Sequence, residues 1–142
     1  MKSLVASSIG LALWITALPA PISAADPSAG QQDYETRCVM CHGRSGKGDG
    51  WLAEHLIQRV PPLAQLKKSN GGVFPFERTY QVIDGRIEVG MHGPRTMPVW
   101  GEVYRAQSDL AYASNPWRLH LGEAFVRYRI LALIEYISQL QE

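Results

Sequence analysis

The chain has only two cysteines among 142 residues, no excess of basic side chains, and few strand signals. Each shortage removes a class of protein. Fourteen Lys and Arg against 13 Asp and Glu give no basic surplus of the kind that nucleic-acid binding requires. No second Cys/His pair stands at zinc spacing, so a four-ligand structural zinc site is excluded. Strand signals are weak throughout, and neither an internal repeat nor a low-complexity tract is present. The longest apolar run, 4–18, falls short of the roughly 20 residues that a membrane-spanning helix needs. One small all-α domain is the fold class that remains.

Both cysteines lie in one five-residue stretch, Cys38-Val39-Met40-Cys41-His42. Cys-x-x-Cys followed directly by His is the attachment signature of a c-type haem. On a helical turn, positions i and i+3 share a face, so the two thiols reach the two vinyl groups along one porphyrin edge. Position i+4 aims His42 at the iron as proximal ligand. Two rival readings are weaker. A thioredoxin-type redox pair needs strand–helix alternation around it, which is missing. The run Gly43-Arg44-Ser45-Gly46-Lys47-Gly48-Asp49-Gly50 resembles a phosphate loop, but Lys47 is followed by Gly48 and no strand precedes it. A tight turn back over the haem edge fits better.

The N-terminal region reads as an export signal. Lys2 is the only charge before Asp26, the apolar run 4–18 follows, and Ser23-Ala24-Ala25 offers a small-x-small cleavage site. Pro19 and Pro21 interrupt any extension into a membrane anchor. Cleavage is expected after Ala25, or after Ala24, leaving 26–142 as the mature domain with no membrane span. No twin arginine occurs near the N-terminus, so Sec-type export is the simpler route, and the periplasm the expected location.

Along the chain, Tyr34, Cys38 and Cys41 recur at helical spacing and predict a first helix over 30–41 that stops near His42 and Gly43. A short helix is expected over 51–60, ended by Pro61 and Pro62. Residues 63–73 read as a loop, 74–83 as a helix stopped by Asp84-Gly85, and 86–101 as a loop containing Met91 and Met97. The clearest helix is the last. Asn115 and Pro116 suit its start, and Val126, Ile130, Leu133, Ile134, Ile137 and Leu140 repeat at three and four.

A distal ligand is sought in the 86–101 loop. Pro98 forces Met97 towards extended backbone, so its thioether projects from a loop. A soft sulfur favours ferrous iron and raises the potential. Met91 and its neighbour His92 are competitors, with His55, His120 or an open site behind them. Met40 lies between two tethered residues and points away. Arg86, Arg95 and Trp100 flank the ligand loop and are candidate propionate or ring contacts.

Cys41-His42-Gly43, Gly48-Asp49-Gly50, Met97-Pro98-Val99-Trp100-Gly101 and the 129–137 ending together resemble class I cytochromes c, in particular small exported bacterial ones with a single haem. The resemblance implies a cytochrome c-like fold around one covalent haem c, with Cys38 and Cys41 as thioethers, His42 proximal and Met97 distal. It implies that the first and last helices cross near Gly30, Tyr34 and Tyr136. It further implies that a proline carbonyl, Pro61 in preference to Pro62, accepts the Nδ1 hydrogen of His42. Residues 102–123 exceed what compact members need, and read as an extra helix sealing the haem or as a docking surface.

The activity these features point to is one-electron transfer between redox partner proteins, a donor dehydrogenase and an acceptor oxidase or reductase, with no catalysis by the chain itself. An alternative is the haem-bearing, electron-accepting subunit of a periplasmic dehydrogenase or oxidase complex. A gas-binding or sensor haem protein would need an open sixth position.

Overall fold

A computed structural model describes residues 28–87 and 97–142. The expected leader (1–25) and Met91, His92 and Arg95 lie outside them. Among the described residues the architecture is helical, with no strand. Helix α1 (Ala29–Asp33) passes through one π-helical turn (Tyr34–Cys38) into α2 (Val39–His42). After the glycine loop come a 3₁₀ turn (Ala53–His55), a second 3₁₀ turn (Leu63–Gln65) leading into α3 (Leu66–Ser69), then α4 (Phe76–Asp84), α5 (Trp100–Ala111) and α6 (Arg118–Gln139).

The first helix starts where Ser28 Oγ accepts the Gln31 N–H, an N-cap bond of 3.2 Å. It crosses α6 at Gly30. A Cβ there would lie 1.9 Å from the Ala132 carbonyl oxygen, so only glycine permits the approach. One turn on, the Tyr34 and Tyr136 rings pack with centroids 5.2 Å apart, and the Tyr34 hydroxyl donates to the Gly43 carbonyl at 2.7 Å. The crossing therefore sits where the resemblance implied. The π turn adds a residue to the helix between Tyr34 and Cys38, and both remain buried, Tyr34 against α6 and Cys38 at the edge of a cavity. Such wide turns recur at functional sites.

Three local expectations need correction. The helix expected over 51–60 is only the single turn Ala53–His55, and Leu56 is already extended. The reason lies in where its backbone donors go. Gly50 N–H bonds to the Cys41 carbonyl and Leu52 N–H to the Met40 carbonyl, pinning this stretch along α2, while Pro61 bars the preceding residue from helical backbone. The 63–73 loop contains the second 3₁₀ turn and α3. The last helix begins at Arg118 rather than at Pro116; Asn115 Oδ1 accepts from Trp117 N–H at 2.9 Å, capping the turn that leads into it. The glycine loop itself turns back as expected: Gly48 N–H bonds to the His42 carbonyl, and a Cβ on Gly48 would meet the Val60 carbonyl at 2.5 Å.

The extra stretch forms most of α5, the connecting turn and the start of α6. It seals a second buried centre. Asp33, 1% exposed, accepts from Arg129 Nε at 2.7 Å and from Arg37 Nε at 3.2 Å; Arg129 Nη2 also donates to it. Tyr104 of α5 closes this group, with the Arg37 and Arg129 guanidiniums 5.8 and 5.2 Å from its ring centroid. Among the described residues its hydroxyl, buried beside the Asp33 carboxylate, makes no well-formed hydrogen bond.

Tyr34 and Tyr104 therefore respond differently to losing their hydroxyls. Tyr34→Phe removes a made bond and is expected to cost about 1 kcal/mol, whereas Tyr104→Phe removes an unsatisfied group and is expected to be neutral or stabilising. Burial raises both phenols above the ordinary value of 10.0, Tyr104 with a further push from the Asp33 charge. As pH climbs past that value, the unfolded chain loses the protons first, so stability falls in alkali and is unaffected below it. Urea midpoints measured either side of about pH 10 should show this slope in the wild type and lose it in the double Phe variant.

Candidate haem site

A cavity of about 470 Å³ opens between α2, the 56–66 stretch, α4 and α6. That volume lies within the ordinary range for cofactor pockets. Cys38, Cys41 and His42 line one part of it, and Met97 and Trp100 another. Val82 and Ile83 of α4 and Leu133 and Ile137 of α6 supply apolar wall, placed there by the three-and-four spacing of each helix.

The donor set has the chemistry of haem attachment. Cys38 and Cys41 form no disulfide, so both sulfurs are available for thioether bonds. Burial, reinforced by the nearby Asp33 charge, pushes the Cys38 thiol up to about 12. Burial also lifts the Cys41 thiol. His42 is 8% exposed, and burial lowers its pKa against a smaller opposing effect of the Pro61 carbonyl. That carbonyl lies 3.3 Å from Nδ1. A neutral imidazole with its Nδ1 hydrogen on Pro61 leaves Nε2 with a free lone pair, the arrangement a metal-binding histidine needs. Pro61, not Pro62, is the proline that makes this contact.

Other expected residues divide. Trp100 lines the cavity as the first residue of α5, with the Arg37 guanidinium 5.8 Å from its ring centroid. Arg86 does not reach the cavity, contrary to expectation. Its Nε donates to Asp84 Oδ2 at 2.6 Å, and its guanidinium lies 5.6 Å from the Tyr80 ring centroid, on the wall of a separate, smaller pocket. A carboxylate two residues away, 4% exposed and also bonded to Arg105, has captured it. His55, His120 and Met40 are exposed and line no part of the cavity.

Three arginines that no sequence motif singles out line the cavity: Arg37, Arg59 and Arg78. Arg78 shares one face of α4 with Thr79, Val82 and Ile83, a spacing the sequence displays. Arg37 and Arg59 carried positional signals only, next to Cys38 and two before Pro61. Among the described residues these are the cations on the cavity lining, and bidentate guanidinium contacts suit the binding of carboxylates. The residues present therefore fit a haem: two cysteine sulfurs and an imidazole from the end of the π turn and α2, a thioether, an apolar wall and cations on the lining.

The cytochrome c family model matches residues 27–100, from the approach to α1 to the first residue of α5. No curated protein and no solved structure matches the chain. With the family match spanning more than half of the chain, and the attachment motif lining a fitting cavity, the chain belongs to the cytochrome c family of haem-binding electron-transfer proteins, and its cofactor is covalently attached haem c.

Proposed function

We propose that the protein is an exported one-electron carrier with a closed, six-coordinate haem site. Bound haem iron supplies the ferric/ferrous couple. The observation that carries this reading is that Met97 shares one cavity with Cys38, Cys41 and His42, although more than fifty residues separate them in sequence. Cys38 and Cys41 tether the group so that it survives repeated encounters. His42 holds its proton at Nδ1 on Pro61 and presents Nε2 to the metal. Met97 presents its thioether, held off the helix by Pro98, which biases the couple towards the reduced state. Arg37, Arg59 and Arg78 take the carboxylates, and the α4–α6 wall excludes water.

Export rests on the N-terminal pattern: one lysine, an apolar run too short to span, and Ser23-Ala24-Ala25. It places the carrier in the periplasm with the leader at 1–25 removed. Among the described residues, no helix is long and apolar enough to cross a membrane.

The test is spectroscopic. The oxidised wild type should show the long-wavelength sulfur-to-iron absorption band, and Met97→Leu should abolish it while Met91→Leu keeps it. The reduced wild type should bind carbon monoxide slowly or not at all, and Met97→Ala rapidly. Rapid binding by the wild type, or a band that survives Met97→Leu, would sink the closed-site reading.

A further inference from the structure

The chain departs from α4 at Gly85 and comes back with Met97, Pro98 and Val99 before α5 begins. Where the two ends meet, each supplies a glycine, and each supplies the side chain that packs on the other's glycine. Gly85 lies so close to Val99 that a Cβ there would collide with Val99 Cγ1. Gly101 lies so close to Asp84 that a Cβ would stand 2.6 Å from the Asp84 backbone oxygen and closer still to Oδ1. Met97 is two residues from Val99, so this junction sets where its backbone enters the haem cavity.

Charge ties the same two ends. The buried Asp84 carboxylate accepts from Arg86 Nε at 2.6 Å through Oδ2, and from Arg105 Nη2 at 3.2 Å through Oδ1. Arg86 belongs to the departing end, and Arg105 stands one turn into α5 beyond Gly101. One carboxylate thus holds both ends, with a separate oxygen for each. Breaking either contact leaves part of a buried charge uncompensated, so the arrangement resists opening. Asp84 itself lines the small pocket between α4, α5 and α6 and not the haem cavity, which its neighbour Ile83 faces. Any effect of Asp84 on the haem site therefore passes through the chain it ties.

We propose that Asp84 is a positioning residue for the distal ligand: with Arg86 and Arg105 it clasps the two ends of the chain around Met97, so that the thioether is held ready for the sixth position of the iron. The inference rests on Met97 being that ligand. A thioether favours ferrous iron, so its bond to ferric iron is the weaker one and depends most on the chain holding the sulfur in place. With the clasp closed, the order that ligation requires is already built into the fold. With it open, the iron–sulfur bond alone has to offset the conformational entropy of ordering the Met97 backbone, and the sixth position is vacated more often.

Ligand retention and global stability, measured side by side on the haem-loaded protein, test this. In the oxidised state the sulfur-to-iron band is followed on warming beside the far-ultraviolet dichroism of the helices. In the reduced state the rate of carbon monoxide binding reports how often the sixth position opens. Asp84→Asn keeps the shape but turns an amide N–H towards one of the two guanidiniums, releasing one end. It and Arg86→Ala should lose the band well below the temperature at which the helices melt. Both should bind carbon monoxide at least about tenfold faster than wild type, the scale of one charge-assisted hydrogen bond lost. Arg86→Lys, which keeps the charge and a donor, should recover most of the wild-type behaviour. Arg127→Ala, on the same small pocket but not bonded to Asp84, should match wild type. The Arg86 side chain is largely exposed, so its variants fold and carry the test even where Asp84→Asn does not. A wild type without the band removes the ligand reading and the clasp with it. A wild type with the band overturns the clasp alone if the variants lose band and helices together, or bind carbon monoxide no faster than it does.

Discussion

Gly30→Ala lowers stability by about 3 kcal/mol, the upper end of what overpacking a core contact costs. Local propensity predicts the opposite sign, because alanine in a helix is ordinarily worth about 1 kcal/mol more than glycine. The difference is steric. A Cβ at position 30 would lie 1.9 Å from the Ala132 oxygen and 2.4 Å from its carbonyl carbon. Both are backbone atoms of α6, so no side chain can rotate out of the way, and α1 must move bodily outward. That motion opens the Tyr34–Tyr136 contact and pulls on the Tyr34–Gly43 bond. It also reaches the haem site, since α1 continues through the π turn into Cys38 and His42. Urea unfolding of the haem-loaded protein, followed through the visible spectrum, measures both effects. A stabilising Gly30→Ala would mean that the helices do not cross there.

How much of this was legible in the sequence depends on how local each interaction is. Cys38, Cys41 and His42 announce themselves because one helical turn fixes their mutual placement, and nothing distant is needed. Gly85 stops α4 with a left-handed backbone, φ 90°, as its position after Asp84 suggested. Met97 carried its signal in the adjacent Pro98, which keeps it out of a helix. By contrast, the apolar residues of 51–60 suggested a helix that the chain does not make, because the competing acceptors are the carbonyls of Met40 and Cys41. Arg86 looked free in sequence, yet buried Asp84 claims it. Arg59 and Arg78 reach the cavity only because the fold brings them there. In sequence the stretch before the last helix reads as an extra helix sealing the haem or as a docking surface, and nothing in it points to Asp33. Its buried Tyr104 lies against Asp33 and Arg129, which are 96 residues apart.

That distant pair gives the other large effect. Arg129→Met is expected to cost about 3 kcal/mol, because it leaves the Asp33 carboxylate, 1% exposed, without its two-pronged partner. Arg37 still donates to one carboxylate oxygen, which holds the loss to the lower end of the usual range for a broken buried pair. Adding Asp33→Leu should recover much of the loss, since two apolar residues in place of a buried ion pair are often neutral. Recovery of stability need not restore the site. Arg37 takes its position from Asp33 on one side and from the Trp100 and Tyr104 rings on the other, and it lines the cavity. With Asp33 gone, its guanidinium is free to swing towards water. A cation held at the cavity wall favours the less positive ferrous state, so the double variant should be nearly as stable as wild type yet show a lower reduction potential. Redox titration beside urea unfolding separates the two outcomes. A potential unchanged in the double variant would leave the buried network with a purely structural role, joining α5 and α6 to the helix that carries the attachment motif.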